Sequence, residues 1–161
     1  MKVLLVAMLA LAAGDAWWLT HRAPAGHVEG APGTAAGANG EFTEDRDAAQ
    51  ALQAESGRPM FILFTGSDWC NPCRLMEMEV FGNPEWKTYT ARNLVLLKAD
   101  FPHHVAQSDA RKAQNAQLSK QFKIEAYPSM VLVARDGHEL GRLTTLPDVH
   151  YFLDEVRKLL Q

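Results

Sequence analysis

Both cysteines of this 161-residue chain lie in one stretch, Thr65-Gly66-Ser67-Asp68-Trp69-Cys70-Asn71-Pro72-Cys73-Arg74. Two thiols so close in sequence can close into a small disulfide ring or open to a dithiol, so the pair can exchange with disulfides elsewhere. What it does depends on the elements that hold it. Met60-Phe61-Ile62-Leu63-Phe64, short, apolar and bounded by Pro59, reads as a buried strand. Leu75-Met76-Glu77-Met78-Glu79-Val80-Phe81 consists mostly of good helix formers. A strand therefore delivers Cys70 to the first turn of a helix, where unpaired N–H groups and the helix dipole favour an anion. A thiolate is an anion, and it is the nucleophilic form of cysteine. Three residues are just under one helical turn, which brings Cys73 back beside Cys70.

Other uses of the pair are weaker. An inert disulfide of this small span removes little entropy from the unfolded chain. A zinc site needs further ligands, which would have to come from His103, His104, His138 or His150. Haem attachment needs a histidine directly after the second cysteine, and Arg74 stands there. The net charge of −3 gives no electrostatic case for nucleic acid. No metal or other cofactor is expected.

The remaining elements follow in order. Thr43, with Glu44, Asp45 and Asp47 after it, reads as a helix start, and Gly57 and Pro59 stop that helix. Gly82-Asn83-Pro84 breaks the helix of the cysteine motif, and Asn83 caps a short helix from Glu85 to Arg92. Leu94 to Ala99 is a second buried strand, reached through a helical crossover and hence parallel to the first. A loop from Asp100 to Ser108 carries His103 and His104, and a polar helix runs from Asp109 to Phe122. Met130 to Ala134 and Glu139 to Leu143 flank Asp136-Gly137, a hairpin turn. Val149, Phe152, Leu153, Val156, Leu159 and Leu160 form the apolar stripe of a last helix, opened by Pro147. The expected fold class is α/β: a central four-stranded mixed sheet flanked by helices on both sides.

Two stretches precede this domain. Lys2 followed by the apolar run Val3 to Ala13 is a secretory pattern. Residues 1–19 are read either as a signal peptide cleaved near Gly14-Asp15-Ala16 or as an anchor continuing through Trp17-Trp18-Leu19, which Asp15 interrupts. Either reading exports the domain, to the periplasm in a bacterium. Residues 20–40 are rich in Ala, Gly and Pro, too poor in large apolar side chains to offset their ordering entropy, and read as a flexible linker. His27 has no local partner there. Residues 41–161 form the domain.

Trp69-Cys70-Asn71-Pro72-Cys73 and, further on, Ile124-Glu125-Ala126-Tyr127-Pro128-Ser129 together resemble the thioredoxin-like family, over roughly residues 41–161. The Gly66-Ser67-Asp68-Trp69-Cys70 lead-in and Asp100-Phe101-Pro102 resemble its exported bacterial branch of thiol–disulfide oxidoreductases. The resemblance implies a thioredoxin-like fold and a cis bond before Pro128, packed against the cysteines. It implies Cys70 as nucleophile, Cys73 as resolving thiol, and Trp69, Tyr127 and Pro128 as substrate-binding residues. Many family members carry a buried aspartate where this chain has Phe64. Glu77, four residues past Cys73 and so on the same helix face, is the candidate proton shuttle in its place. Asp68 is expected to be solvated.

The implied function is a thiol–disulfide oxidoreductase that reduces, or isomerises, disulfides of exported proteins; the alternative is a non-catalytic binding module on the same fold. Asn71-Pro72, the redox-tuning dipeptide, lacks the histidine that stabilises the thiolate in oxidising relatives, so a reducing potential is expected. A reductant outside the cytoplasm needs a membrane electron donor. No dimerisation element is visible, and a monomer is expected.

Overall fold

The computed structural model describes residues 39–143, 145 and 147–161. The signal, anchor and most of the linker readings lie outside these described residues. The chain runs α1 (Arg46–Ser56), β1 (Met60–Thr65), α2 (Asn71–Met76), a π-helical turn (Glu77–Phe81), α3 (Pro84–Asn93), β2 (Val95–Asp100), α4 (Asp109–Gln121), β3 (Ser129–Val133), β4 (Glu139–Leu143) and α5 (Val149–Leu159).

The strands form one four-stranded sheet in the order β2-β1-β3-β4. β1 pairs parallel with β2 and antiparallel with β3, and β3 pairs antiparallel with β4 through the Asp136-Gly137 turn, where Gly137 takes φ 90°. Every residue of β1 is buried, as befits a strand covered on both faces. Its side chains alternate between two cores. Phe61 and Leu63 join the core built with the π-helical turn, α3 and α5; Met60, Ile62 and Phe64 join the core under α1 and α4. The first core is aromatic: Phe61 packs against Trp86 at 5.1 Å and Phe152 at 6.2 Å between ring centroids, with Phe81 closing the cluster. The mixed four-stranded sheet and flanking helices are those the sequence implies.

Three details differ from the sequence reading. The first helix starts after Thr43, and its cap is Asp45, whose Oδ1 accepts the N–H groups of Asp47 (2.9 Å) and Ala48 (3.0 Å). The Thr43 backbone is engaged elsewhere: its N–H donates to the Leu96 carbonyl at 3.0 Å and its carbonyl accepts from Lys98 at 2.8 Å. That bridge covers the outer edge of β2, an exposed ladder otherwise. The motif helix is not α-helical throughout. At Glu77–Phe81 it widens to a π-helical turn, closed by Gly82 N–H donating to the Glu77 carbonyl at 2.7 Å. The extra residue re-phases the helix, so Met76, Val80 and Phe81 are all buried while Glu77, Met78 and Glu79 face solvent. The last helix is capped by Asp148, one residue after Pro147.

Candidate active site

Three loops converge at the carboxyl end of β1. The cysteine loop leaves β1 directly. Asp100 pairs with Thr65, so the segment after β2 starts at the same end. Ser129 pairs antiparallel with Phe64, which brings Pro128 there as well.

Cys70 is the N-cap of α2, with extended backbone (φ −89°, ψ 103°), and it is disulfide-bonded to Cys73 with 2.01 Å between the sulfurs. Both cysteines are 4% exposed. The Cys70 Sγ accepts the N–H of Cys73 at 3.2 Å, while the Cys70 N–H donates to the Gly66 carbonyl at 2.9 Å. A helix N-terminus presents N–H groups that need acceptors, and here a sulfur is the acceptor. Asn71 and Pro72 are exposed; the Pro72 ring fits the first turn because that position has no N–H bond to lose. The Arg74 guanidinium donates to Asn71 Oδ1, so it lies along the outer face of the helix. Among the described residues it bonds to neither sulfur.

Trp69 forms the rim. Its indole N–H donates to the Phe101 carbonyl at 2.8 Å, its ring stacks on His103 (4.6 Å, 8° between planes), and Tyr127 meets it edge-on at 5.7 Å. Tyr127 also packs on Phe101 at 5.2 Å. Burial holds the Tyr127 phenol above its ordinary value, with a Ser119 hydrogen bond opposing, so it stays neutral and can donate. The Tyr127–Pro128 bond is cis, and both residues are half-buried. Together Trp69, Phe101, Pro102, His103, Val105 and Tyr127 line much of an open cleft of about 420 Å³ beside the disulfide loop. The amides of Gln107 and Asn115, also in its wall, donate to the Asp100 carbonyl at 3.2 and 2.8 Å, leaving a mostly apolar surface.

Two carboxylates tie these loops together. Asp100 accepts Ser67 N–H at 2.9 Å and Ser67 Oγ–H at 2.6 Å. Asp68, expected to be merely solvated, instead accepts three successive backbone N–H groups, from His103 (2.9 Å), His104 (2.6 Å) and Val105 (3.1 Å). The His103 N–H does most to lower its pKa to about 2, with the His104 and Val105 donors and the His104 charge adding to it against burial. The sequence offered a signal only in outline: the Ser67-Asp68 lead-in and Asp100-Phe101-Pro102 were visible as marks, their bonds to each other's loops were not.

Phe64 is fully buried and packs on Phe122 at 6.1 Å between ring centroids, so no titratable side chain occupies that interior position. Glu77 is exposed, and among the described residues its carboxylate bonds to no part of the cysteine loop. Among the described residues no group of three or more His, Cys, Asp or Glu side chains is placed to hold a metal, and no helix is long and apolar enough to cross a membrane.

A paired-cysteine helix N-terminus opposite a cis-proline loop, on a four-stranded sheet of this order, defines a thioredoxin-like protein. The model of the thioredoxin-like domain family matches residues 46–160, and the chain belongs to that family. It is 30% identical over 97 residues to a disulfide bond reductase, DsbH, of Chlamydia pneumoniae, covering 59% of this chain and 58% of that one. It is 31% identical over 99 residues to the thioredoxin-related protein DsbJ of the same organism, covering 60% of this chain and 28% of that one. The chain thus spans under two thirds of the length of either relative. A solved structure of a DsbH oxidoreductase superposes with a TM-score of 0.71 at 25% identity, over 83% of this chain and 92% of that one.

Proposed function

We propose that the protein is an exported thiol–disulfide oxidoreductase that reduces disulfides in polypeptides. The observation that carries this reading is the Cys70 sulfur at the head of α2, accepting the Cys73 N–H, with its neighbour Trp69 in the wall of an apolar cleft. In the dithiol form the Cys70 thiolate attacks one sulfur of a client disulfide. The client S–S bond breaks, a mixed disulfide with Cys70 forms, and the first client sulfur leaves as a thiolate that takes up a proton. Cys73, deprotonated, then attacks Cys70 Sγ and expels the second client sulfur. The client gains two electrons and two protons, and this protein ends as the Cys70–Cys73 disulfide.

Trp69, Tyr127 and Pro128 hold the client backbone at the cleft, and Asn71-Pro72 tunes the potential. With Phe64 filling the interior position and Glu77 facing solvent while Cys73 is buried, Cys73 exchanges its proton with water, and Glu77 can serve as its shuttle only through that water. Turnover needs a dithiol donor; for a domain outside the cytoplasm, that donor is a membrane protein passing on reducing equivalents. The name of the DsbH relative, a disulfide bond reductase, supports the reducing direction. The working unit is a monomer, held at the membrane or freed by cleavage at its amino terminus.

The test is catalysis of insulin reduction by dithiothreitol. The native protein is expected to accelerate it, Cys70→Ala to abolish the effect, and Cys73→Ala to accumulate mixed disulfides. A native protein no faster than dithiothreitol alone would leave the binding-module reading.

A further inference from the structure

We propose that Asp68 is a positioning residue, whose carboxylate holds residues 103–105 against the cysteine loop and so fixes the Trp69 wall of the client cleft. The inference deepens the oxidoreductase reading and rests on it for the identity of the client.

Residues 103–105 belong to no helix or strand, so their three N–H groups have no ladder to pair with. Asp68 supplies acceptors for all three. An ionised carboxylate is the side chain suited to this, because it carries only acceptors, with room for about four donors. Charge-assisted bonds of this kind are roughly twice as strong as neutral ones. Asp68 has no side-chain cation partner among the described residues within ion-pair distance, so this carboxylate is spent on backbone.

The tethered segment gives its contacts back to the next residue in sequence, Trp69. His103 stacks on the indole, and Phe101, two residues before, takes the indole N–H. Val105, 62% exposed, is held at the cleft wall by its own bond to Asp68. Two loops 35 residues apart are therefore joined as one surface. A client meeting a wall already in place does not have to order it, which lowers the entropic cost of binding. The carboxylate bonds to the loop amides and to neither sulfur, so its effect is expected on client affinity rather than on the thiol pair's potential.

The experiment compares Asp68→Ala and Asp68→Asn with the native full chain. Amide exchange at residues 103–105 and the Trp69 Nε1–H resonance report the wall directly, without reference to activity. Steady-state insulin reduction reports the client, and equilibration with glutathione reports the potential. Asp68→Ala is expected to raise exchange at all three amides and raise KM for insulin about tenfold, with kcat within about twofold and the potential unmoved. Asp68→Asn, which keeps one acceptor and turns an NH2 toward the remaining donors, is expected to fall between. Unchanged exchange, an effect on kcat with KM unmoved, or a shifted potential overturns the assignment. A native protein without insulin reductase activity, yet with exchange raised in Asp68→Ala, overturns the client role and the proposed function together while the loop tether stands.

Discussion

The Cys70 sulfur accepts the N–H of Cys73 at 3.2 Å, so the two cysteines are joined by a hydrogen bond as well as by the disulfide. A donor that keeps this aim when the disulfide opens bonds to a thiolate more strongly than to a neutral sulfur. Cys70 is therefore expected to alkylate at least about tenfold faster than Cys73 at neutral pH. Mass spectrometry of the reduced protein after brief exposure to iodoacetamide reads the order directly. Preferential labelling of Cys73 would reverse the roles given to the pair.

The dipeptide between them sets the second expectation. Asn71 and Pro72 are both exposed and neither carries a charge near the sulfurs, while Arg74 is engaged with Asn71. Nothing in the dipeptide adds a cation to stabilise the thiolate, so the potential is expected near thioredoxin's, about −270 mV. Replacing Asn71-Pro72 with Pro-His is expected to raise it by tens of millivolts toward the oxidants. Equilibration with glutathione measures both. An unmoved potential would mean that the dipeptide does not tune this pair.

Those features were legible from sequence because they are local. The Cys70-to-Cys73 spacing, the Gly82-Asn83-Pro84 break, the Asp136-Gly137 turn and the stripe on α5 each act over a few residues, where period and cap chemistry decide. Asp68 was misread for the opposite reason. An exposed-looking acid beside a tryptophan carries no sign that its acceptors meet amides in another loop; that meeting follows only from the parallel register of β1 and β2. The residue at which α1 begins was hidden for the same reason: Thr43 bridges to the edge of β2, and the cap falls two residues on, at Asp45. The π-helical turn is visible only afterwards, in Val80 and Phe81 being buried side by side.

Phe64 offers a stability test. It is fully buried in β1, one of the two inner strands of the sheet, and truncation to alanine is expected to cost about 3–5 kcal/mol. Phe64→Asp would place a carboxyl into a site shaped for a ring. Burial would raise its folded pKa, so its neutral form would be the tolerated one; stability would be best below the unfolded value of about 3.9 and fall as pH rises through and above it. Urea unfolding at pH 4 and pH 7 separates the cases. An equal loss at both would mean that the carboxylate reaches solvent or a partner.

Asp68 gives a pH prediction of the other sign. Its folded pKa is lowered from 3.8 to about 2, chiefly by the His103 N–H, and His103 and His104 are the titratable groups on the segment it holds. A depressed folded pKa means that the contribution to stability is complete above 3.8 and is lost as pH falls toward about 2. The tether at residues 103–105 should persist unchanged from neutral pH to about pH 4. Carbon-13 titration of the Asp68 carboxyl is expected to show no inflection near 3.8 in the folded protein. An inflection there would mean that the three N–H bonds are not held in solution.

The Trp69 wall depends on what is missing beneath it. A Cβ at Gly66 would overlap the indole, lying 2.5 Å from Nε1. The Gly66 backbone is outside the left-handed region, so alanine fits the chain's conformation there, and the three atoms nearest the added Cβ all belong to the Trp69 ring. In Gly66→Ala the indole has to swing out, giving up the Phe101 carbonyl and the His103 stack. The lost hydrogen bond sets a stability cost of about 1 kcal/mol. The larger effect is expected on the client: KM for insulin rising several-fold while Cys70 alkylation is unchanged, because the sulfur keeps its own donor from Cys73. The Trp69 Nε1–H resonance decides the mechanism. If it stays at its native position while KM rises, the cleft is lost by some route other than displacement of the indole.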